Sequence, residues 1–448
     1  MDLHKVLLLS VICTCIAAFD TLAEVAGTQP PAVQILIRNV SVWDGTSDRT
    51  SPGQDVLIED NLIHSIGTNL PANADALTVD GGGRVLMPGI IDAHAHIASP
   101  IPAADAPKQD PAYVAALSLK IARMLLMRGW TTMRDVGGPS QGIARAIDEG
   151  HADGPRIYPS AMYISQTSGH GDFRERTDPH PNMGGVPNAF EARYTLLADG
   201  PAEVRRAVRE SLRQGATQIK VMAGGGISSE YDPLDTVQFS VEELRAAVDA
   251  AADWHTYVTV HAYTDEAVNR ALDAGVKVIE HGHLLTEPTL KRIKSDGAYL
   301  SSQSFGFVRN YPLTTETERG RKAKSVMDGV DNLMNTARKI GLPVAFGTDS
   351  FGAERVYVGA VKEFSYRLRW FDSLEILKQA TSHNAKLLEL TGPRNPYKDG
   401  PLGVIQPGAY ADLLIVDGDP LDDVTVLEDY EANLRLIMKD GNIYKNTL

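Results

Sequence analysis

A chain of 448 residues, 43% hydrophobic and 22% charged, has the composition of a soluble globular protein, with room for one large domain and a smaller one. Its formal net charge of −14 argues against nucleic acid or an anionic membrane as the main partner and leaves small-molecule substrates open. No solenoid-type repeat and no low-complexity segment is visible.

In chain order, Lys5 precedes an almost wholly apolar run over 6–19, and Thr21-Leu22-Ala23 offers the small residues of a cleavage site. This reads as a secretory signal peptide over 1–23, too short to span a membrane, and it places the mature chain outside the cell or in the periplasm. A buried N-terminal strand or helix is the competing reading. Both cysteines, Cys13 and Cys15, fall inside this segment, and Ser10-Val11-Ile12 matches a lipidation site poorly. Removal of the peptide would leave no cysteine, hence no disulfide and no thiolate ligand.

Residues 34–84 read as short strands: Ile35-Leu36-Ile37 leads to Val40 and Val42, and Val56-Leu57-Ile58 precedes the polar turn Glu59-Asp60-Asn61. The last fifty or so residues read alike, with Leu413-Leu414-Ile415-Val416, then Leu436-Ile437-Met438 before an Asp440-Gly441 hairpin signal. Neither stretch can form a secure core alone, so 34–84 and 395–448 are expected to pair as one composite β-domain.

Between 85 and 394, eight apolar runs alternate with helical patterns: 85–96, 131–136, 156–164, 217–222, 257–261, 276–281, 299–303 and 343–349. Among the intervening helices, Ser240-Val241-Glu242-Glu243 is a capping box. Val204, Val208 and Leu212 form an apolar stripe that Gly215 should terminate. The expected fold is therefore α/β, a (β/α)8 TIM barrel with the composite β-domain beside it. A doubly wound sheet would alternate similarly, but no Gly-x-Gly-x-x-Gly follows the first run.

Chemistry-bearing residues sit at the ends of these runs, where such a barrel places its active site. The first ends Asp92-Ala93-His94-Ala95-His96, and residues two apart on a strand share a face. Others end on His261, on Glu280-His281 and on Gly347-Thr348-Asp349, while Lys220 lies among apolar neighbours in Ile219-Lys220-Val221-Met222. Each signal has a plain alternative alone: a hydrogen-bonded core histidine, a snorkelling lysine, a helix-capping aspartate. Their coincidence at separate strand ends, in a chain with twelve histidines, points to a divalent metal site for zinc or a similar ion. An unmodified Lys220 ammonium would repel such an ion. Carboxylation by CO2 would make it a carbamate anion able to bridge two metals.

The segment Met87-Pro88-Gly89-Ile90-Ile91-Asp92-Ala93-His94-Ala95-His96, with Lys220, His261, His281 and Asp349, resembles the binuclear metal-dependent branch of the amidohydrolase superfamily. The resemblance runs through nearly the whole mature chain to Pro407-Gly408-Ala409-Tyr410-Ala411-Asp412-Leu413. The segment Gln166-Thr167-Ser168-Gly169-His170-Gly171-Asp172, residues 219–226, and His261-Ala262-Tyr263-Thr264 resemble the subgroup of Xaa-Pro and Xaa-Arg dipeptidases and ochratoxin-hydrolysing amidohydrolases. Fungal ochratoxin-hydrolysing members carry a second histidine where this chain has Tyr263.

The resemblance implies that His94, His96 and Asp349 hold one metal, His261 and His281 the other, and carboxylated Lys220 bridges both. It implies attack on an amide carbonyl by a metal-bridging hydroxide, the carbonyl being polarised by a metal together with Tyr263 or His170. Asp349 would act as general base and then general acid. The expected substrates are dipeptides or N-acyl L-amino acids, ochratoxin-like amides included. The long segment 166–199, with His170, Arg174 and Arg176, and Arg355 after the eighth run are candidates to meet a substrate carboxylate. A homo-oligomer without a membrane span is expected. A cyclic-amide hydrolase or deaminase on the same barrel is the alternative enzyme, against which Lys220 argues. A non-catalytic metal-binding assembly protein is the alternative of another class.

Overall fold

A computed structural model describes residues 33–102, 105–304 and 315–448. The signal-peptide reading of 1–23, with Cys13 and Cys15, lies outside the described residues. The chain opens with β1 (Gln34–Val42), β2 (Ser51–Glu59), β3 (Leu62–Gly67), β4 (Leu77–Asp80) and β5 (Val85–Pro88). Ten strands follow: β6 (Ile90–Ala95), β7 (Trp130–Asp135), β8 (Arg156–Pro159), β9 (Tyr163–Ser165), β10 (Thr195–Leu197), β11 (Ile219–Met222), β12 (Val258–Ala262), β13 (Val278–His281), β14 (Tyr299–Ser301) and β15 (Val344–Ala345). The last three are β16 (Leu413–Val416), β17 (Leu434–Lys439) and β18 (Asn442–Asn446).

Strands from the two ends of the chain share one sheet, in the order β18-β17-β16-β5-β1-β2-β3, with β4 also on β1. Antiparallel pairing of β16 with β5, from Leu413 opposite Pro88 to Val416 opposite Val85, joins the late strands to the early ones. Asp440-Gly441 makes the two-residue hairpin between β17 and β18. Arg156, buried on β8, fastens this sheet to the central strands. It pairs with Asp412 at 3.0 Å and Asp440 at 2.5 Å, and its guanidinium lies over the Tyr410 ring at 3.9 Å.

The central strands are parallel and form two sets, β6-β7-β8 and β10-β9-β11-β12-β13-β14-β15. Backbone bonds continue past the paired residues. Ala93 N donates to Phe346 O (2.8 Å), Asp349 N to His94 O (2.7 Å), and Thr217 N to Pro159 O (2.7 Å). Helices cover the strands. Ile219 and Val221 share a core with Val204, Val208 and Leu212 of the helix Pro201–Arg213. Strand alternation sends Lys220, between them, to the other face. The capping box at Ser240 is present on the helix Val241–Ala252, with both reciprocal bonds made.

Three expected runs differ from the structure. Run 85–96 is two strands broken at Gly89, whose amide donates to Asp412 O at 2.8 Å. A Cβ on Gly89 would lie 2.1 Å from Thr131 Oγ1, so only glycine lets the chain pass here. Run 156–164 divides into β8 and β9 around Ala161, which takes a positive φ of 61°. The last run pairs only over Val344–Ala345, and the rest of it leads to Asp349 as irregular chain. Segment 166–199 is not structureless, since it contains the short helix Glu191–Tyr194 and β10.

Candidate metal centre

His94 on β6 and His96 directly after its end lie two residues apart, and their ring centroids are 5.3 Å apart. Asp349 reaches both: its Oδ1 is 3.4 Å from His94 Nε2 and 3.3 Å from His96 Nε2. The ligand atoms of all three fall within 4.8 Å of one another, so this trio could hold a metal ion. His94 Nε2 is buried and has no hydrogen-bond partner among the described residues. An unsatisfied buried nitrogen costs about 1–3 kcal/mol. A cation between these groups would remove that cost.

His281 continues the cluster, 4.8 Å from the His94 ring and 4.6 Å from the His261 ring, which closes β12. Its backbone explains how it gets there. Glu280 and His281 are neighbours, and strand alternation would send them to opposite faces. At His281 the chain is left-handed (φ 72°), as it is at Asp349 (φ 50°). Such strain, about 1–3 kcal/mol per residue, gathers where function requires it. Lys220 is 1% exposed on β11; burial first, and its ammonium among the nearby charges, lower the proton affinity of His96, His261 and His281, whereas at His94 Glu280 and Asp349 outweigh both and raise it. Burial pushes Lys220 itself down to about 8, against the upward pull of Glu280 and Asp349.

One nitrogen of each imidazole is engaged from behind. His94 Nδ1 donates to Glu280 Oε2 (2.7 Å), His96 Nδ1 to Gly137 O (3.1 Å), His281 Nδ1 to Gln303 Oε1 (2.9 Å), and His261 Nε2 to Gly225 O (3.3 Å). This fixes each tautomer and leaves the other nitrogen as a lone pair, the arrangement metal-binding histidines use. Burial holds His261 and His281 far below the usual histidine range, with His170 and His281 adding to the effect on His261, and His94 to that on His281. Both are therefore neutral, as a ligand must be. Burial would raise Asp349, but His94 and His96 outweigh it and keep the carboxylate ionised. This donor set, imidazoles oriented by their hydrogen-bond partners and a carboxylate around a buried nitrogen, fits a divalent cation.

Glu280 links the centre to the scaffold. It is fully buried, pairs with the equally buried Arg134 of β7 at 2.5 Å, and also accepts from Thr259 Oγ1. Glu280→Gln would strand the Arg134 charge and loosen His94. We expect a loss of about 3–5 kcal/mol in stability by urea unfolding, and metal affinity weaker by about 10–100-fold. Unchanged values in both measurements would show that Glu280 supports neither.

The structure also brings His170 and Tyr263 here. His170 stacks on His261 at 4.1 Å, and Tyr263 lies 5.0 Å from His261 and 5.3 Å from His281. Among the arginines, Arg174 is committed to Asp172 (2.8 Å), Arg176 lies over the Tyr231 ring (4.4 Å), and Arg355 is exposed on the helix Glu354–Gly359. Sequence reasoning missed Arg134, Gln303 and His283, and named Glu280 without giving it a role. His283 is buried 5.7 Å from Tyr263, donates Nε2 to Gln303 O (2.9 Å), and is held by burial at about 4. A glutamate inside an apolar strand was the one available signal.

Comparison with known proteins agrees with this geometry. A model of the amidohydrolase family matches residues 85–445. Ochratoxinase of Aspergillus niger is 31% identical over 385 residues, covering 81% of this chain and 76% of that protein. Among solved structures, a prolidase complexed with N-methylphosphonate-L-proline superposes with TM-score 0.85 and 33% identity, covering 93% of this chain and all of that one. A Xaa-Pro dipeptidase with methionine in its active site gives TM-score 0.78 and 28% identity, covering 92% of this chain and all of that one.

Proposed function

The chain belongs to the amidohydrolase family and is a hydrolase acting on carbon–nitrogen bonds, and from this premise we propose that it cleaves the amide of dipeptides or N-acyl L-amino acids at a binuclear metal centre. The observation that carries the reading is the convergence of four imidazoles with oriented tautomers, the Asp349 carboxylate and the buried Lys220. His94, His96 and Asp349 would hold one ion, His261 and His281 the other, and Lys220, carboxylated, would bridge them. Two divalent ions bound there, zinc foremost, would supply a water acidic enough to ionise near neutral pH and would polarise the scissile carbonyl.

Lys220 suits carboxylation because burial lowers its proton affinity and so favours the free amine, the form that attacks CO2. Attack forms the N–C bond as one C–O π bond of CO2 opens, and the neutral amine loses one proton to solvent to become an anion; counted from the ammonium, two protons leave. Asp349 takes the proton of the attacking water and delivers it to the leaving nitrogen as the C–N bond breaks. His170 or Tyr263 would meet the carbonyl oxygen. Phe351, 38% exposed, stands edge-on to His96 at 6.0 Å, with Tyr163 at 5.8 Å from the same ring. These aromatic walls suit an apolar group beside the scissile bond.

The same proposal includes closure of the two parallel sets into one (β/α)8 barrel over 85–394, apart from β5, which pairs with β1 and β16 in the sheet of 34–84 and 395–448 that makes the second domain. The Thr217–Pro159 and Ala93–Phe346 bonds support it. It also includes export by the peptide 1–23 and assembly of identical chains. No helix among the described residues is long and apolar enough to cross a membrane.

Dipeptides and N-acyl amino acids share a leaving group with a free carboxylate, which Arg355 or Arg176 would meet. Amidating that carboxylate should lower kcat/KM by ~10²-fold or more. Equal rates on the free acid and its amide would contradict the substrate class and favour a general amidase.

A further inference from the structure

The chain between β11 and the helix Val241–Ala252 carries a polar cluster that the metal centre does not use. Ser229 and Asp232 are both buried there, and both reach one atom: His170 Nδ1 lies 2.5 Å from Ser229 Oγ and 3.0 Å from Asp232 Oδ2. His170 is otherwise boxed in. Its backbone amide donates to Gln238 Oε1 (2.9 Å), and its ring stacks on His261 with an interplanar angle of 15°. A Cβ on Gly226 would come within 1.9 Å of His170 Cε1, so the ring occupies space that only glycine leaves. Gly226 N in turn donates to Asp232 Oδ2 at 2.8 Å.

Behind this turn lies a buried cation from a distant element. Lys322, on the helix Glu318–Ile340, is 4% exposed. Its Nζ donates to Asp232 O (2.7 Å) and Ser229 O (3.2 Å) and lies 3.9 Å from Asp232 Oδ1. Burying an ammonium is costly unless hydrogen bonds and a counter-charge repay it, and this turn supplies both. A carboxylate only accepts hydrogen bonds, so Asp232 requires the proton on His170 Nδ1 and leaves Nε2 as the nitrogen presented outward. Ser228 Oγ lies 3.4 Å from Nε2.

Resting on the reading of His170 as a group that meets the substrate carbonyl, we propose that Lys322 is a positioning residue which clamps the 229–232 turn so that Asp232 and Ser229 hold His170 in one tautomer and orientation, with Nε2 toward the substrate. To polarise a carbonyl oxygen Nε2 must carry a second proton, taken up from solvent, and the Asp232 carboxylate on Nδ1–H stabilises the ring in that doubly protonated form, the service an orienting aspartate gives a catalytic histidine.

The test uses the metal-loaded full chain with 15N-labelled histidine, the His170 Nδ1–H resonance being identified by its loss in His170→Gln. Asp232→Asn and Lys322→Met should each displace that resonance and lower kcat by about 10–100-fold. KM should stay within about threefold of the parent value and metal content should not change. Lys322→Arg, which keeps the charge, should recover part of kcat, and Asp232→Asn carries the test alone if Lys322→Met does not fold. Full kcat in His170→Gln overturns the reading on which the clamp rests. A slow His170→Gln enzyme beside an Asp232→Asn enzyme with parental kcat and an unmoved resonance overturns the clamp itself.

Discussion

Lys220→Ala should lose most bound metal and fall in turnover by well over ~100-fold, beyond the loss typical of a residue that only supports a ligand. A small carboxylic acid such as acetate or propionate should restore part of both, because it can fill the vacated space with the same oxygen donors. The argument is electrostatic. Lys220 is 1% exposed, and after burial its ammonium is among the causes that lower the proton affinity of His96, His261 and His281. An unmodified ammonium there would oppose a dication at every donor. A carbamate would remove the opposition and supply an anionic bridge. Parental activity and metal content in Lys220→Ala, measured by steady-state hydrolysis and elemental analysis, would remove Lys220 from the centre.

Asp349→Asn separates holding a metal from moving a proton. The amide oxygen can still occupy the place 3.4 Å from His94 Nε2 and 3.3 Å from His96 Nε2, so metal should be largely retained. An amide cannot take a proton from water and pass it to a leaving nitrogen, so kcat should fall by ~10²-fold or more. The left-handed backbone at Asp349 (φ 50°) favours this choice, since asparagine tolerates that conformation as readily as aspartate. A variant with unchanged kcat and a raised KM would show that Asp349 binds substrate and is not the proton carrier.

The parts of this site legible in the sequence are those that obey strand periodicity. His94, on β6, and His96, the residue after its end, are two apart, so alternation alone predicts a shared face, and their rings lie 5.3 Å apart. Lys220, flanked by Ile219 and Val221, follows the same rule. What periodicity conceals is where the backbone breaks it. Glu280 beside His281 reads as one residue in and one out, yet the positive φ at His281 brings both to the cluster. Gly89 looks like a passing glycine in one apolar run, yet it divides that run between two sheets, because the contact demanding it, Thr131, lies on another strand. Ser229, Asp232 and Lys322 were invisible for a related reason. Their meeting depends on irregular chain and on a helix some 90 positions away, for which the sequence holds no period.

Metal content and hydrolysis followed together through one cycle of removal and restoration test the central claim most directly. The purified chain should carry about two divalent ions, lose cleavage of an N-acyl L-amino acid when a chelator strips them, and regain it as about two equivalents of zinc return in bicarbonate buffer. Undiminished cleavage by the metal-free chain, or no cleavage of any dipeptide or N-acyl amino acid by the fully loaded chain, would contradict it.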